Sequence, residues 1–364
     1  MNITPDIILK ALSTVEEPDL KKDIVTLGMV RDVKVNGNQI SFTINLTTPA
    51  CPLKELIKKN CKEAIHNLVS EQLEIEIKLT AEVTSSRDGS PVLSQVKNII
   101  AISSGKGGVG KSTITANLAV ALAQSGARVG IIDADISGPS IPTMFGIEHE
   151  KPMMTKIDGK DFIIPIEKYG VQIISIGLLI PPDSAVVWRG PMASSALKQF
   201  MTDVYWDELD YLLIDLPPGT GDIHLTLVQS VPVTGAVIVT TPQKVAISDA
   251  QKGLSMFKQP QINVPILGII ENMAYFTPAE LPNNKYYIFG KDGGKKLAEK
   301  NGVFFLGEVP IVQSVREGGD EGIPVVNNGE VISEAFEKLA EALARQVAIR
   351  NANLDKTKKV EVTV

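Results

Sequence analysis

Residues 98–113 read NIIAISSGKGGVGKST, and this stretch decides the fold. An apolar run ends in Ser103 and Ser104, a glycine-rich loop follows, and Lys111, Ser112 and Thr113 open the helix-like segment ITANLAVALAQSG. Strand, GxxxxGK[ST] loop and helix in that order make a phosphate-binding loop. Gly105, Gly107, Gly108 and Gly110 let the backbone curl, so that successive N–H groups through Val109 point inward at phosphate oxygens. The helix N-terminus adds positive potential. Lys111 is placed to neutralise charge on the β- and γ-phosphates, and Ser112 to ligate Mg²⁺. The alternative is an ordinary glycine-rich turn before a helix, which the strand–loop–helix context disfavours.

Working outward, the chain after about Lys97 alternates apolar strands with helices: VGIIDAD, VQIISIG, YLLIDLP, GAVIVTT, PILGIIEN and VFFLGEVP. Near-continuous apolar strands imply a parallel sheet covered on both faces, an α/β nucleotide-binding domain. Residues 1–84 read instead as a small α+β unit. A helix near Thr4–Ser13 precedes strand-like IVTLGMV, VRDVKV and QISFTINL, the last two joined through Asn36–Gly37–Asn38. A helix over about Pro52–Ser70 places Leu53, Leu56, Ile57, Cys61, Ile65 and Leu68 at helical spacing. LEIEIKLTAEV supplies a last strand. The expected organisation is therefore 1–84 α+β, 85–96 linker, 97–350 P-loop ATPase domain and 351–364 flexible tail. The helix near 329–349 carries Ile332, Phe336, Leu339, Leu343 and Val347 on one face, for docking onto the domain.

The 364 residues carry a net charge of −6, so no basic surface is advertised for nucleic acid. No apolar run reaches the ~20 residues that span a bilayer. The N-terminus lacks a basic region of the secretory kind. Cys51 and Cys61 do not make a disulfide framework. The expectation is a cytoplasmic protein that binds neither membrane nor nucleic acid.

Carboxylates complete the nucleotide site. IIDADISGPS ends a strand in Asp133 and Asp135, which strand alternation puts on one side near the ligand crevice. Asp133 is expected to support Mg²⁺ or the loop. YLLIDLPPGTGD ends in Asp215, placed to hold Mg²⁺ through water, and Pro217–Gly219 shape a loop that can sense the γ-phosphate. Asp222 is either a carboxylate of that loop or the N-cap of the next helix. His224, His66 and His149 receive no role. Asn272, after PILGIIE, has an amide suited to an adenine edge, and the lack of an NKxD-type guanine reader favours ATP over GTP.

Lys106, a second lysine inside the loop, makes the form KGGxGKS. It resembles the deviant Walker A class, which includes MinD, ParA, the nitrogenase iron protein and the Mrp/ApbC proteins. That resemblance implies that Lys106 reaches across a homodimer to the partner's nucleotide, where otherwise it is a solvated loop lysine. It also implies that Asp135 orients the attacking water, and that Asn272 holds the base-contact position. GKGGVGKST, DADISGPSIP, VVWRGPM, DLPPGTGDIHLTL and ENMAYF together look like the Mrp/ApbC iron–sulfur cluster carrier ATPases. The N-terminal unit with TTPACP at 47–52 resembles the small domain shared with other iron–sulfur assembly factors. The implied activity is ATP hydrolysis coupled to cluster transfer, with apoprotein clients and iron–sulfur scaffold proteins as partners. Family members usually carry CxxC after the ENM segment, and a dimer then supplies four thiolates, the usual cluster ligation. ENMAYFTPAELPNNKYYIFG has no cysteine. Cys51, just before a helix start, is then the remaining candidate cluster ligand, or a small buried residue, with Cys61 on its helix's apolar face. The open alternatives are an ATP-switch client-delivery protein that carries no metal and a ParA/MinD-like positioning ATPase.

Overall fold

After residue 95, the expected apolar runs form strands, and helices alternate with them. The computed structural model describes residues 3–87, 89–180, 189–278, 280–329 and 331–360. Val186, Val187 and Trp188 of the VVWRGPM motif lie outside the described residues, as do the last four residues of the tail. The chain divides into two compact units, Met1–Thr84 with Ala348–Leu354, and Ser85–Val347 with Asp355–Val364.

In the first unit, α1 (Pro5–Leu12) precedes a hairpin of β1 (Val30–Asn36) and β2 (Gln39–Leu46). After α2 (Lys54–Leu68), β3 (Glu74–Ala81) adds parallel to β2. The core joins Ile8, Leu12, Ile40, Ile44, Ile57 and Ile65. Two expectations change here. IVTLGMV is not a strand up to Met29 but a series of turns. Asp23 Oδ1 accepts from Val25 N at 3.1 Å and Thr26 N at 2.8 Å, and Gly28 is left-handed at φ 67°, so local turn chemistry overrides the apolar run. On α2 the buried face is Ile57, Cys61 and Ile65, whereas Leu56 and Leu68 are exposed.

The second unit is built on an eight-stranded sheet. Its elements are β4 (Val96–Ser103), α3 (Lys111–Gln124), β5 (Val129–Asp133), β6 (Ile166–Lys168), β7 (Val171–Ser175) and α4 (Gly190–Thr202). Next come β8 (Leu209–Asp215), α5 (Asp222–Ser230), β9 (Gly235–Thr240), α6 (Lys244–Phe257) and β10 (Ile266–Phe276). The last are α7 (Gly293–Asn301), β11 (Phe305–Ile311) and the part of α8 (Val331–Asn353) up to Val347. The sheet order is β6–β7–β5–β8–β4–β9–β10–β11, parallel except for the antiparallel β6–β7 pair at one edge. A small hairpin, Met154–Ile157 with Lys160–Ile163, lies outside this sheet and was not expected. The phosphate-loop strand β4 is central, and its neighbour β8 pairs Asp215 with Ile102 on one side and Asp133 on the other. Those carboxyl ends form one edge, the place where open parallel sheets bind ligands.

The expected linker and the described part of the expected tail both make contacts within the second unit. In the linker, the half-buried Arg87 guanidinium donates to the carbonyls of Val92, Leu93 and Val96, and Leu93 is core. The tail is pinned by Thr357 N on Ser86 O at 2.8 Å and Val360 N on Val228 O at 3.0 Å. Both segments carry backbone groups that pair with the domain, which their polar composition concealed. The five expected apolar residues of α8 are all buried.

Candidate functional site

The loop between β4 and α3 takes its shape from glycines used in two different ways. Gly108 and Gly110 are left-handed, each at φ 80°, a region that side chains avoid. Gly110 is also the N-cap of α3, with no side chain capping it, so the first N–H groups of the helix face the loop. Gly105 serves close approach instead. A Cβ there would lie 2.0 Å from the Asp249 carbonyl carbon and 2.4 Å from Ala250 N, so the loop rests directly on the backbone of α6. Gly107 has room, with its nearest neighbour Pro218 at 3.8 Å from such a Cβ.

Lys111, Ser112 and Asp215 converge at the centre. Lys111 Nζ lies 2.7 Å from Asp215 Oδ2 in a buried ion pair. Ser112 Oγ donates to the same oxygen at 2.6 Å, and Thr115 Oγ1 donates to Asp215 Oδ1 at 2.6 Å. Thr115 was not expected. Its signal was a hydroxyl one helical turn beyond Lys111, at the spacing that shares a face. Thr113 is half-buried, and its carbonyl accepts from Asn117 Nδ2 at 3.0 Å.

The two aspartates of the DAD motif differ in burial. β5 ends at Asp133, so Asp135 lies just beyond the strand, and both carboxyl groups lie within reach of the Lys111 and Asp215 charges. Asp133 is fully buried, accepting from Ser175 Oγ at 2.9 Å and, through Oδ1, from Asp135 N at 3.2 Å. Burial, then the neighbouring Asp215 charge, push its carboxyl pKa up. Asp135 is half-buried, raised by burial, with the charge of Lys111 opposing. It is the more accessible carboxylate of the two. Ser175, at the end of a neighbouring strand, was missed because nothing local ties it to Asp133.

Asn272 lies within β10, which continues to Phe276 instead of ending before it. Its Nδ2 donates to Val109 O at 2.9 Å, and a Cβ on Gly110 would sit 2.2 Å from that nitrogen. The amide therefore braces the phosphate loop. Lys106 is exposed. Gly219 N donates to Ser104 O at 2.8 Å, tying the segment after Asp215 to the loop. Asp222 is the first residue of α5, not its N-cap, which is Gly221. Its carboxylate occupies the space a Cβ on Gly190 would fill, at 2.9 Å, beside the first residue of α4. His224 is buried, with Nε2 3.3 Å from Ser103 Oγ, and burial lowers its pKa to about 4. It is a neutral packing residue.

The donor set suits Mg²⁺: a hydroxyl and carboxylates, all hard oxygen ligands, gathered at one strand edge. Thiols are different. Cys51 is 8% exposed and Cys61 fully buried, and burial pushes the Cys61 thiol up to about 12. Among the described residues no group of three or more His, Cys, Asp and Glu side chains is placed to hold a metal. No helix among them is long and apolar enough to cross a membrane.

Comparison with known proteins agrees with this geometry. The family model described as NUBPL iron-transfer P-loop NTPase matches residues 95–344, and that described as iron-sulfur cluster assembly protein matches residues 5–77. The chain is 48% identical to the iron-sulfur cluster carrier protein of Synechocystis, over 95% of this chain and 97% of that one. It is 43% identical to the Escherichia coli protein of the same name, over 92% and 90%. A nucleotide-binding protein from Archaeoglobus fulgidus, solved with ADP, is similar at 40% identity and TM-score 0.55, over 63% of this chain and 88% of that one.

Proposed function

The chain belongs to the NUBPL iron-transfer P-loop NTPase family, and on that premise we propose that it hydrolyses ATP to drive iron–sulfur cluster delivery to apoproteins. The observation that carries the nucleotide part is the Lys111–Ser112–Asp215 convergence beneath a glycine loop at a helix N-terminus. Phosphate oxygens compete with Asp215 for the Lys111 ammonium, so nucleotide entry releases the carboxylate. Ser112 and Asp215 would then hold Mg²⁺, which when bound neutralises charge on the phosphates. Asp135 orients the attacking water and takes its proton, its basicity raised by partial burial. Asn272 reads the adenine edge with the part of its amide not engaged on Val109 O. Lys106, exposed on the loop, acts across a homodimer closed by ATP. Gly219 N on Ser104 O links the γ-phosphate side of the loop to α5, the route by which hydrolysis reopens the dimer.

The cluster is cargo. Cys51 from each subunit, with thiolates from a partner or a small thiol, is its anchor. The test is anaerobic reconstitution with iron and sulfide, then iron counting and transfer to an apoprotein with and without ATP. Stoichiometric iron with ATP-dependent transfer supports the reading, and absence of both refutes it. A second reading, an ATP-switched client-delivery protein that holds no metal, is favoured by the missing CxxC and the burial of both cysteines. It predicts no iron uptake but ATP-dependent binding of apoprotein.

A further inference from the structure

The helix that supports the phosphate loop has a second occupied face and a third that is open. Ala250 and Gly253 of α6 lie against Gly105. Residues 244, 247, 248 and 251 of the same helix, one to two turns along its neighbouring face, line a cleft of about 770 Å³ shared with α7. That volume is within the ~300–1,000 Å³ of ligand pockets. Its floor is apolar, with Ile247, Phe289 and Leu297.

Its charge is one-sided. Lys244, Lys291, Lys296 and Lys300 line it, and among the described residues no carboxylate does. This is a departure in a chain with 42 acidic and 36 basic residues. The nearby ion pairs join Lys252 to Asp249 and Lys285 to Glu308, and leave these four lysines out. Of the carboxylates close to the α7 start, Glu271 is buried, accepts from Gly294 N and lies within reach of the Lys296 charge, and Asp292 is the α7 N-cap residue without a side-chain capping bond. Close packing sets the cleft's shape. A Cβ on Gly293 would lie 2.6 Å from Pro242 O, so the start of α7 is seated on the end of β9.

The apolar surface continues past the cleft. Tyr286 is 46% and Ile288 59% exposed, immediately before Phe289. A ligand that uses both the lysines and this flank is longer than a metabolite. We propose that the α6–α7 cleft docks an acidic segment of a partner protein that inserts an apolar or aromatic anchor side chain against Phe289 and Leu297. This deepens the delivery function and rests on it: the partner would be a protein that receives or supplies the cargo. The lysines steer and hold the segment in a salt-dependent way, and the anchor gives the contact its specificity.

The test is selection of a displayed random dodecapeptide library on the immobilised full chain, with the variant Lys291→Glu/Lys296→Glu as counter-target. Enriched peptides are expected to be acidic with one or two Phe, Leu or Trp residues. A fluorescein-labelled enriched peptide should bind the wild type saturably, weaken at least tenfold in the variant, and weaken again in 0.5 M salt. ATP turnover of the variant should match wild type, which shows it folded. Enrichment of neutral or basic peptides, no enrichment, or equal binding by the variant each overturns the proposal. Cluster transfer measured in parallel separates the two claims. Transfer to apoprotein that is undiminished in the variant sinks the docking site and leaves the carrier reading standing. A wild type that neither takes up nor transfers iron sinks the carrier reading, and the peptide selection still decides the cleft.

Discussion

Gly105→Ala isolates a contact that no phosphate-loop pattern specifies. The added Cβ would stand 2.0 Å from the Asp249 carbonyl carbon and 2.1 Å from its oxygen, against about 3.4 Å for an ordinary contact. The loop and α6 must therefore separate by about 1.4 Å. Both sides are backbone, so no rotamer change relieves the overlap. If α6 yields, its buried residues Ala246, Ala250, Leu254 and Phe257 shift out of register with the core. Overpacking of that kind costs about 1–3 kcal/mol, and for a domain of this size each kcal/mol lowers Tm by roughly 2–4 °C. The expected fall is roughly 2–12 °C by calorimetry. If the loop yields instead, the phosphate cradle is displaced by more than the ~1 Å that can cost about a hundredfold in rate. Gly107→Ala is the control, because its Cβ would meet Pro218 at a comfortable 3.8 Å, and its Tm should stay within about 1 °C of wild type. A Gly105→Ala protein with wild-type Tm and wild-type ATP turnover would refute the close approach.

Lys111→Ala should weaken ATP binding or turnover at least about tenfold, ~1.4 kcal/mol, and wild-type titration and turnover in that variant would remove the loop's assigned role. Asp135→Asn should spare binding and slow hydrolysis, and mixing it with Lys106→Ala should restore some turnover in heterodimers, since one composite site is then complete; heterodimers without recovery would contradict action across the interface. His224 takes a proton in the unfolded chain near 6.5 but in the folded one only near 4. Below pH 6.5 the unfolded state therefore binds more protons, and stability falls progressively to pH 4 by up to about 3 kcal/mol. Denaturant unfolding of His224→Gln should show a shallower loss across that window, and an unchanged slope would exclude the histidine. Cys51→Ser should abolish whatever iron the reconstituted wild type holds, and full retention of the iron signal would point away from Cys51.

Much of this protein was legible before any coordinates. Sixteen residues around GKGGVGKST placed a strand, a loop and a helix, because phosphate binding by backbone N–H groups requires that local order. Apolar strands announced the parallel sheet through their burial on both faces. Asp215 was legible because it ends such a strand. Local turn chemistry was the weak point: Ile24–Met29 has the composition of a strand, yet Asp23 and Gly28 bend it. Contacts between residues distant in sequence were not legible at all. Nothing near Asp133 announces Ser175, nothing near Gly190 announces Asp222, and Gly105 reads as one loop glycine among several until α6 is seen resting on it. Asn272 was read toward a base, and only the folded sheet shows its amide on Val109 O. The sequence alone determined the chemistry of the phosphate site, because that chemistry is carried by contiguous backbone and a neighbouring lysine. Tertiary structure alone decided what braces the loop, which aspartate is sequestered and where four lysines gather, because those depend on strand order and helix packing that bring distant segments to one edge.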